Sequence, residues 1–303
     1  MVSKLKRVSV IIPTFNHSNY VLQAIQSAKE NTYGNIEIIV IDDGSSDGTD
    51  RLLANVSDIR YVRQQNQGAH SALNHGMQIA TGEIISVLND DDIFFPEHIS
   101  TGVKNLNSTG NDLHVSFPTI IGDGPKLEIM ENHLVHSRNQ IGEFGFQKAI
   151  FKTNWSTSTS AFIFRRKLAD DLQGFLGFKM CHDLDFLLRT LIQAKSSIGV
   201  SFKPTWQYRC HENNSGTHIS LLRQNAEILY AIGSSLSILA PNLSFGDLIN
   251  LIDYGIPKHL VAYSINVQPW RKELRLTKEN AIEEWIVQFT TYADQIHGFR
   301  DRL

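Results

Sequence analysis

Three observations predict an α/β fold built on a largely parallel sheet flanked by helices. Short continuous apolar runs end abruptly in polar turns, stretches of helical spacing separate them, and the turns carry the acidic residues. Apolar runs of this kind suit strands buried on both faces, and strand–helix alternation implies parallel pairing.

The elements follow in order. Val8 to Ile12, ended by Pro13, reads as the first strand. Ser18 or Asn19 then offers a cap for a helix with apolar positions Val21, Leu22, Ile25 and Ala28. Ile36 to Ile41 is a second strand, stopping in Asp42-Asp43-Gly44-Ser45. Ile59 to Val62 is a third, followed by Gly68 and a helical stretch through Ala72, Leu73, Met77 and Ala80. Thr81-Gly82 ends that helix, and Glu83 to Leu88 runs as a fourth strand into Asn89-Asp90-Asp91-Asp92. Pro96 stands where a first-turn helix proline belongs. From about Ile120 to Phe151 the chain is polar and His-rich without clear periodicity, so His114, His133 and His136 are expected in loop and facing solvent. Thr157 to Phe164 alternates and reads as a strand, and Asp183 to Ala194 as an amphipathic helix through Phe186, Leu187, Leu191 and Ile192. His218 to Leu303 is mainly helical in pattern, broken at Pro241 and Pro257.

Bulk properties narrow the function classes. With 303 residues, 42% hydrophobic and 19% charged, the composition is that of a soluble globular protein with a large core. A formal net charge of -3 argues against a nucleic-acid binder. Cys181 and Cys210 are too few for a disulfide framework, which points to a reducing, cytoplasmic setting. No apolar stretch approaches the ~20 residues of a membrane span. Trp270, Arg271 and Lys272 beside apolar segments leave peripheral membrane contact, or a homo-oligomer contact, open for the tail.

Ligands of open parallel sheets bind at the carboxyl ends of the strands. Thr14-Phe15-Asn16, Asp42 to Ser45, and Asn89 to Asp92 all fall there. Three adjacent carboxylates repel one another unless something positive is near. Asp90-Asp91-Asp92 is therefore either a hard-cation site for Mg²⁺ or Mn²⁺, or a solvated loop with Asp92 capping the next helix. The Cys181-His182 and Cys210-His211 pairs suggest zinc, but adjacent residues on an extended chain point to opposite sides.

Val8 to Asn16, Ile39 to Thr49, Ala80 to Ile85 and Leu88 to Asp92, in that order and spacing, resemble family 2 glycosyltransferases of the GT-A fold over roughly residues 7 to 215. The resemblance implies a catalytic domain over 1–215, a helical extension over 216–303, and inverting transfer of sugar from a nucleoside-diphosphate sugar. It implies that Pro13, Thr14, Phe15 and Asn16 cradle the nucleotide and that Asp43 reads the base, usually uracil, making a UDP-sugar the expected donor. Asp90 and Asp91 match the acidic pair for ribose and metal, with the metal placed on Asp91; Asn89 stands where the family often has Asp. Asp183 matches the catalytic base, with His182 replacing a usual Glu and Asp185 an alternative by position alone. His211 matches an imidazole that contacts metal or diphosphate in some relatives. The acceptor is then a glycan or lipid-linked hydroxyl, and the expected location is the cytoplasm, with the inner face of the membrane left open. A nucleotidyltransferase would show a basic Gly-rich loop early in the chain, which is absent, while a catalytically silent nucleotide-sugar or protein-binding module remains the alternative.

Overall fold

A computed structural model of the chain describes residues 5–151, 153–192 and 197–214, together with 219, 227, 228, 231, 232 and 235. The expected helical extension over 216–303 lies almost wholly outside the described residues, as do Trp270, Arg271 and Lys272. The chain divides into two compact units. The first comprises 1–132, 156–179 and 194–211; the second comprises 133–155, 180–193 and 212–303.

The first unit is built on an eight-stranded mixed sheet. Its strands are β1 (Val8–Thr14), β2 (Ile36–Asp42), β3 (Arg60–Arg63), β4 (Ile84–Val87), β5 (Ile93–Phe94), β6 (Leu113–Gly122), β7 (Phe162–Arg165) and β8 (Ile198–Cys210). Their order is β3-β2-β1-β4-β7-β6-β8-β5. Strands β3, β2, β1 and β4 pair in parallel, as do β6 and β8, whereas β7 runs antiparallel to both β4 and β6. β1 is buried along its whole length, as its unbroken apolar run requires of a central parallel strand.

The helices are α1 (Val21–Lys29), α2 (Thr49–Leu53), α3 (Ala69–Ile79), α4 (His98–Thr109), α5 (Pro125–Phe144), α6 (Phe146–Ala149), α7 (Arg166–Leu172) and α8 (His182–Ile192). The chain adds strands outward from β1 to β3, then returns to place β4 on the other side of β1. Right-handed crossovers put α1 and α3 on opposite faces of the sheet as a result. Two glycines let helices approach closely. A Cβ on Gly76 of α3 would collide with Ile11 of β1, and one on Gly102 of α4 with Ile163 of β7.

Several expectations are corrected. No side chain caps α1, whose N-cap is Tyr20, and Leu22 on that helix is 40% exposed. The irregular stretch after Ile120 contains α5, a helix of 20 residues. His114 is buried in β6, and His133 is half-buried on α5; only His136 faces solvent as expected. The strand expected from Thr157 starts only at Phe162, because Thr159–Ala161 winds as a 3₁₀ turn held by the Ser158 hydroxyl. Asp92 does not cap a helix; it is buried, and α4 begins beyond it with Glu97 as N-cap.

Candidate active site

β1 lies between β2 and β4, where the order of strands reverses, and the crevice at such a reversal is the usual ligand site of an open α/β sheet. Beyond Thr14, Asn16 turns the chain with φ 56, a left-handed conformation that Asn tolerates better than most residues. The turn is fixed by its neighbour after β2. Asn16 N–H donates to Ser45 Oγ at 2.9 Å, Asn16 Oδ1 accepts from Ser46 N–H at 2.7 Å, and Asp43 N–H donates to the Thr14 carbonyl at 2.9 Å. Phe15 is left 44% exposed.

The two acids ending β2 do different work. Asp42 accepts the Ser45 N–H at 2.7 Å and the Tyr61 hydroxyl at 2.9 Å, so it braces the turn. Burial and the bond to Asp42 push the Tyr61 phenol up. Asp43 accepts Gln64 Nε2 at 2.8 Å and Gln67 N–H at 2.9 Å on Oδ1, and Gly68 N–H at 2.7 Å on Oδ2. It ties the start of α3 to the end of β2.

Asn89 to Asp92 occupy four environments. Asn89 Nδ2 donates to Ser158 Oγ at 2.9 Å while its Oδ1 accepts from Thr159 Oγ1 at 2.9 Å, so the amide is engaged at both ends. Asp90 meets His17 Nδ1 at 2.8 Å and accepts Phe15 N–H at 3.3 Å. Asp91 meets His211 Nε2 at 2.9 Å. Asp92 accepts from Ser160 Oγ at 2.6 Å and from Arg209 N–H at 3.1 Å. Arg209 also donates through Nε to the Asp91 carbonyl at 2.8 Å and lies over the Tyr20 ring.

The electrostatics follow. Burial, then the charge of Asp91, drives the Asp92 carboxyl well above the usual range. Burial works against a charged His17, but its hydrogen bond to Asp90 and the charges of Asp90, Asp91 and Asp47 hold it up at about 9. The rings of His17 and His211 meet edge to face at 5.4 Å. Two imidazole–carboxylate pairs thus stand side by side. His17, Asp90 and Asp91 each bring one ligand atom within 4.8 Å of the others. Imidazole nitrogen with carboxylate oxygen fits a divalent ion such as Mn²⁺.

In the second unit, Asp183 lies in the first turn of α8 and is buried. It accepts Asn154 Nδ2 at 3.0 Å and Leu184 N–H at 2.8 Å. Asp185 is locked to Arg189 at 2.7 Å. Burial pushes the Asp185 carboxyl up, and Arg189 pulls against it. Trp155 donates its indole N–H to the Phe146 carbonyl at 2.9 Å and is packed against that ring, so it serves the core.

Sequence reasoning missed His17, Gln64 and the hydroxyls of Ser158 to Ser160. The hydroxyl run Ser156 to Ser160 was a visible signal, since five such residues in succession suit a polar cradle better than a strand. His17 and Gln64 had none, being single residues whose partners lie far along the chain.

Residues 9–173 match glycosyl transferase family 2. The chain belongs to that family. The matched stretch carries Pro13 to Asn16, Asp43, Asp90 and Asp91; Asp183 and His211 lie beyond it. An uncharacterised glycosyltransferase of Rickettsia conorii is 47% identical over 107 residues, which is 34% of this chain and 18% of that protein. The chain therefore spans well under half the length of that relative. S. aureus TarS 1-349 in complex with UDP-GlcNAc shares the fold with TM-score 0.65 at 18% identity, over 96% of this chain and 83% of that one. The mannosyltransferase PcManGT from Pyrobaculum calidifontis, in complex with GDP-Man and Mn²⁺, gives 0.59 at 17% identity over 99% and 89%. The fold of this family 2 chain is GT-A-like. No helix among its described residues is long and apolar enough to cross a membrane.

Proposed function

We propose that this chain transfers a sugar from a nucleoside-diphosphate sugar to an acceptor hydroxyl in glycan synthesis, with inversion at the anomeric carbon and with a divalent cation. The observation that carries the reading is the double pair His17–Asp90 and His211–Asp91 just past the end of β4. It stands beside the loops that end β1 and β2, and both acids lie in the family-matched stretch. Complexes of TarS with UDP-GlcNAc and of PcManGT with GDP-Man and Mn²⁺ support a nucleotide-sugar donor and a cation, and they disagree on the base.

For the base, Asp43 favours uracil, whose imide N–H a carboxylate accepts. The exposed Phe15 ring offers a flat face for stacking. Asp91 and His211 are the ligands for Mn²⁺ or Mg²⁺. Such an ion stabilises charge on the departing diphosphate oxygens. Asp183 is the general base: its carboxylate takes the acceptor hydroxyl proton as that oxygen bonds to the anomeric carbon and the sugar–phosphate bond breaks toward UDP. Asp185 suits this role less, because Arg189 already occupies it. The acceptor is a glycan or lipid-linked hydroxyl, met on the cytoplasmic side of a membrane.

A thermal-shift series tests the reading, since a ligand that binds only the native state raises stability. UDP with Mn²⁺ should shift melting upward, and more than UDP alone. No shift with any nucleoside diphosphate, with or without Mn²⁺, overturns it.

A further inference from the structure

Asp43 is set by three donors, of which Gln64 supplies the side-chain one. A carboxylate only accepts hydrogen bonds. The Gln64 amide must therefore turn its NH₂ toward Asp43, and its Nε2 stands 2.8 Å from Asp43 Oδ1. Its carbonyl end then faces His75 Nδ1 at 2.8 Å, so that nitrogen carries the hydrogen. Ser71 Oγ flanks the same amide at 3.3 Å. Ser71 and His75 lie one turn apart on α3. A directed chain results, from helix to His75 to Gln64 to Asp43.

The consequence is chemical. A carboxylate has about four lone-pair positions, two per oxygen. Gln64 and Gln67 fill Oδ1, while Gly68 takes one position on Oδ2. Oδ2 is left as a single acceptor. Uracil offers one imide N–H and suits a single acceptor. Guanine offers an imide N–H and an adjacent amino group, and a carboxylate with both oxygens open reads these together.

We propose that Gln64, oriented by His75, is a specificity-determining positioning residue that occupies Oδ1 of Asp43 and so makes the site select uracil over guanine. The proposal rests on Asp43 being the base-reading residue. Affinities of UDP and GDP, measured calorimetrically with Mn²⁺ on the full chain, test it. Gln64→Leu should compress the UDP-to-GDP affinity ratio about tenfold, the order expected for one hydrogen bond to a charged group. His75→Ala, on a half-buried helix position, should shift the ratio the same way by less, and it carries the test if Gln64→Leu fails to fold. A purely structural role would weaken both nucleotides equally, and that result in either variant overturns the proposal. Asp43→Asn separates the two readings. If it binds UDP as tightly as the wild type, base reading by Asp43 fails and the role of Gln64 falls with it. If it is impaired while Gln64→Leu keeps the ratio, only the role of Gln64 fails.

Discussion

Asp91 and Asp92 are adjacent in sequence and opposite in role. Asp91 faces an imidazole at 2.9 Å, whereas Asp92 is sealed among hydroxyls and the Arg209 amide. Asp91→Ala should therefore abolish the extra thermal shift that Mn²⁺ adds to UDP while leaving the apo melting temperature near that of wild type. Asp92→Ala should do the reverse, because it strips buried donors of their acceptor. Asn89 makes a sharper case. Its amide both donates and accepts, and the Ser158 hydroxyl that receives it also faces Asp92. Asn89→Asp would set a second carboxylate against that hydroxyl and should cost about 1–2 kcal/mol of stability, read by denaturant titration. Asp183→Asn keeps shape but cannot take a proton; UDP binding should hold while transfer falls by roughly 10²–10⁴-fold. Asp185→Asn should appear in melting rather than turnover, since it removes the charge of a buried carboxylate that Arg189 holds at 2.7 Å.

Elements explain which parts of the site could be read from the sequence. β1, β2 and β4 are short apolar runs ending in polar turns, so their ends, and with them Asp43, Asp90 and Asp91, were legible. α5 was not. Its buried residues Leu134, Ser137 and Ile141 form a thin stripe with a hydroxyl in the middle, and Ile129 and Val135 are exposed, so the helical period is diluted. β5 has two residues, too few for any pattern. His17 and His211 reach their carboxylates only because the loop after β1 and the end of β8 meet beside the end of β4. No spacing encodes that meeting. At the level of helix packing, Gly102→Val should destabilise by about 1–3 kcal/mol, because the Ile163 side chain fills the space a Cβ needs. Reversible melting of the variant checks this.

On the scale of the whole molecule, acid is the expected weakness. His98 and His114 are buried in the first unit; burial, with His114 acting on His98, lowers them to about 3 and about 4 from 6.5. Both ring nitrogens of His114 and Nε2 of His98 lack a hydrogen-bond partner among the described residues. Folding thus holds both rings neutral, while the unfolded chain takes up protons below about 6.5. The contribution of these two rings to stability should be complete above that pH and decline below it by about 1.4 kcal/mol per unit for each ring, until the folded values are reached. Denaturant midpoints at neutral pH and near pH 5 measure the slope, and His114→Leu should flatten it.

The strand order also dictates a timetable. By residue 87 the ribosome has delivered β1 to β4, enough for four neighbouring strands to pair. β5 and β6 emerge next but have no place beside them: β5 pairs with β8, and β7, which comes some forty residues after β6, must sit between β6 and β4. Until then β4 presents an open edge, and β6 waits with neither neighbour, the second being β8 at the far end of the described chain. Unpaired edges attract other chains. A nascent chain stalled between β6 and β7 is therefore the species most in need of a chaperone, and one stopped after Cys210 can close every pairing of the sheet.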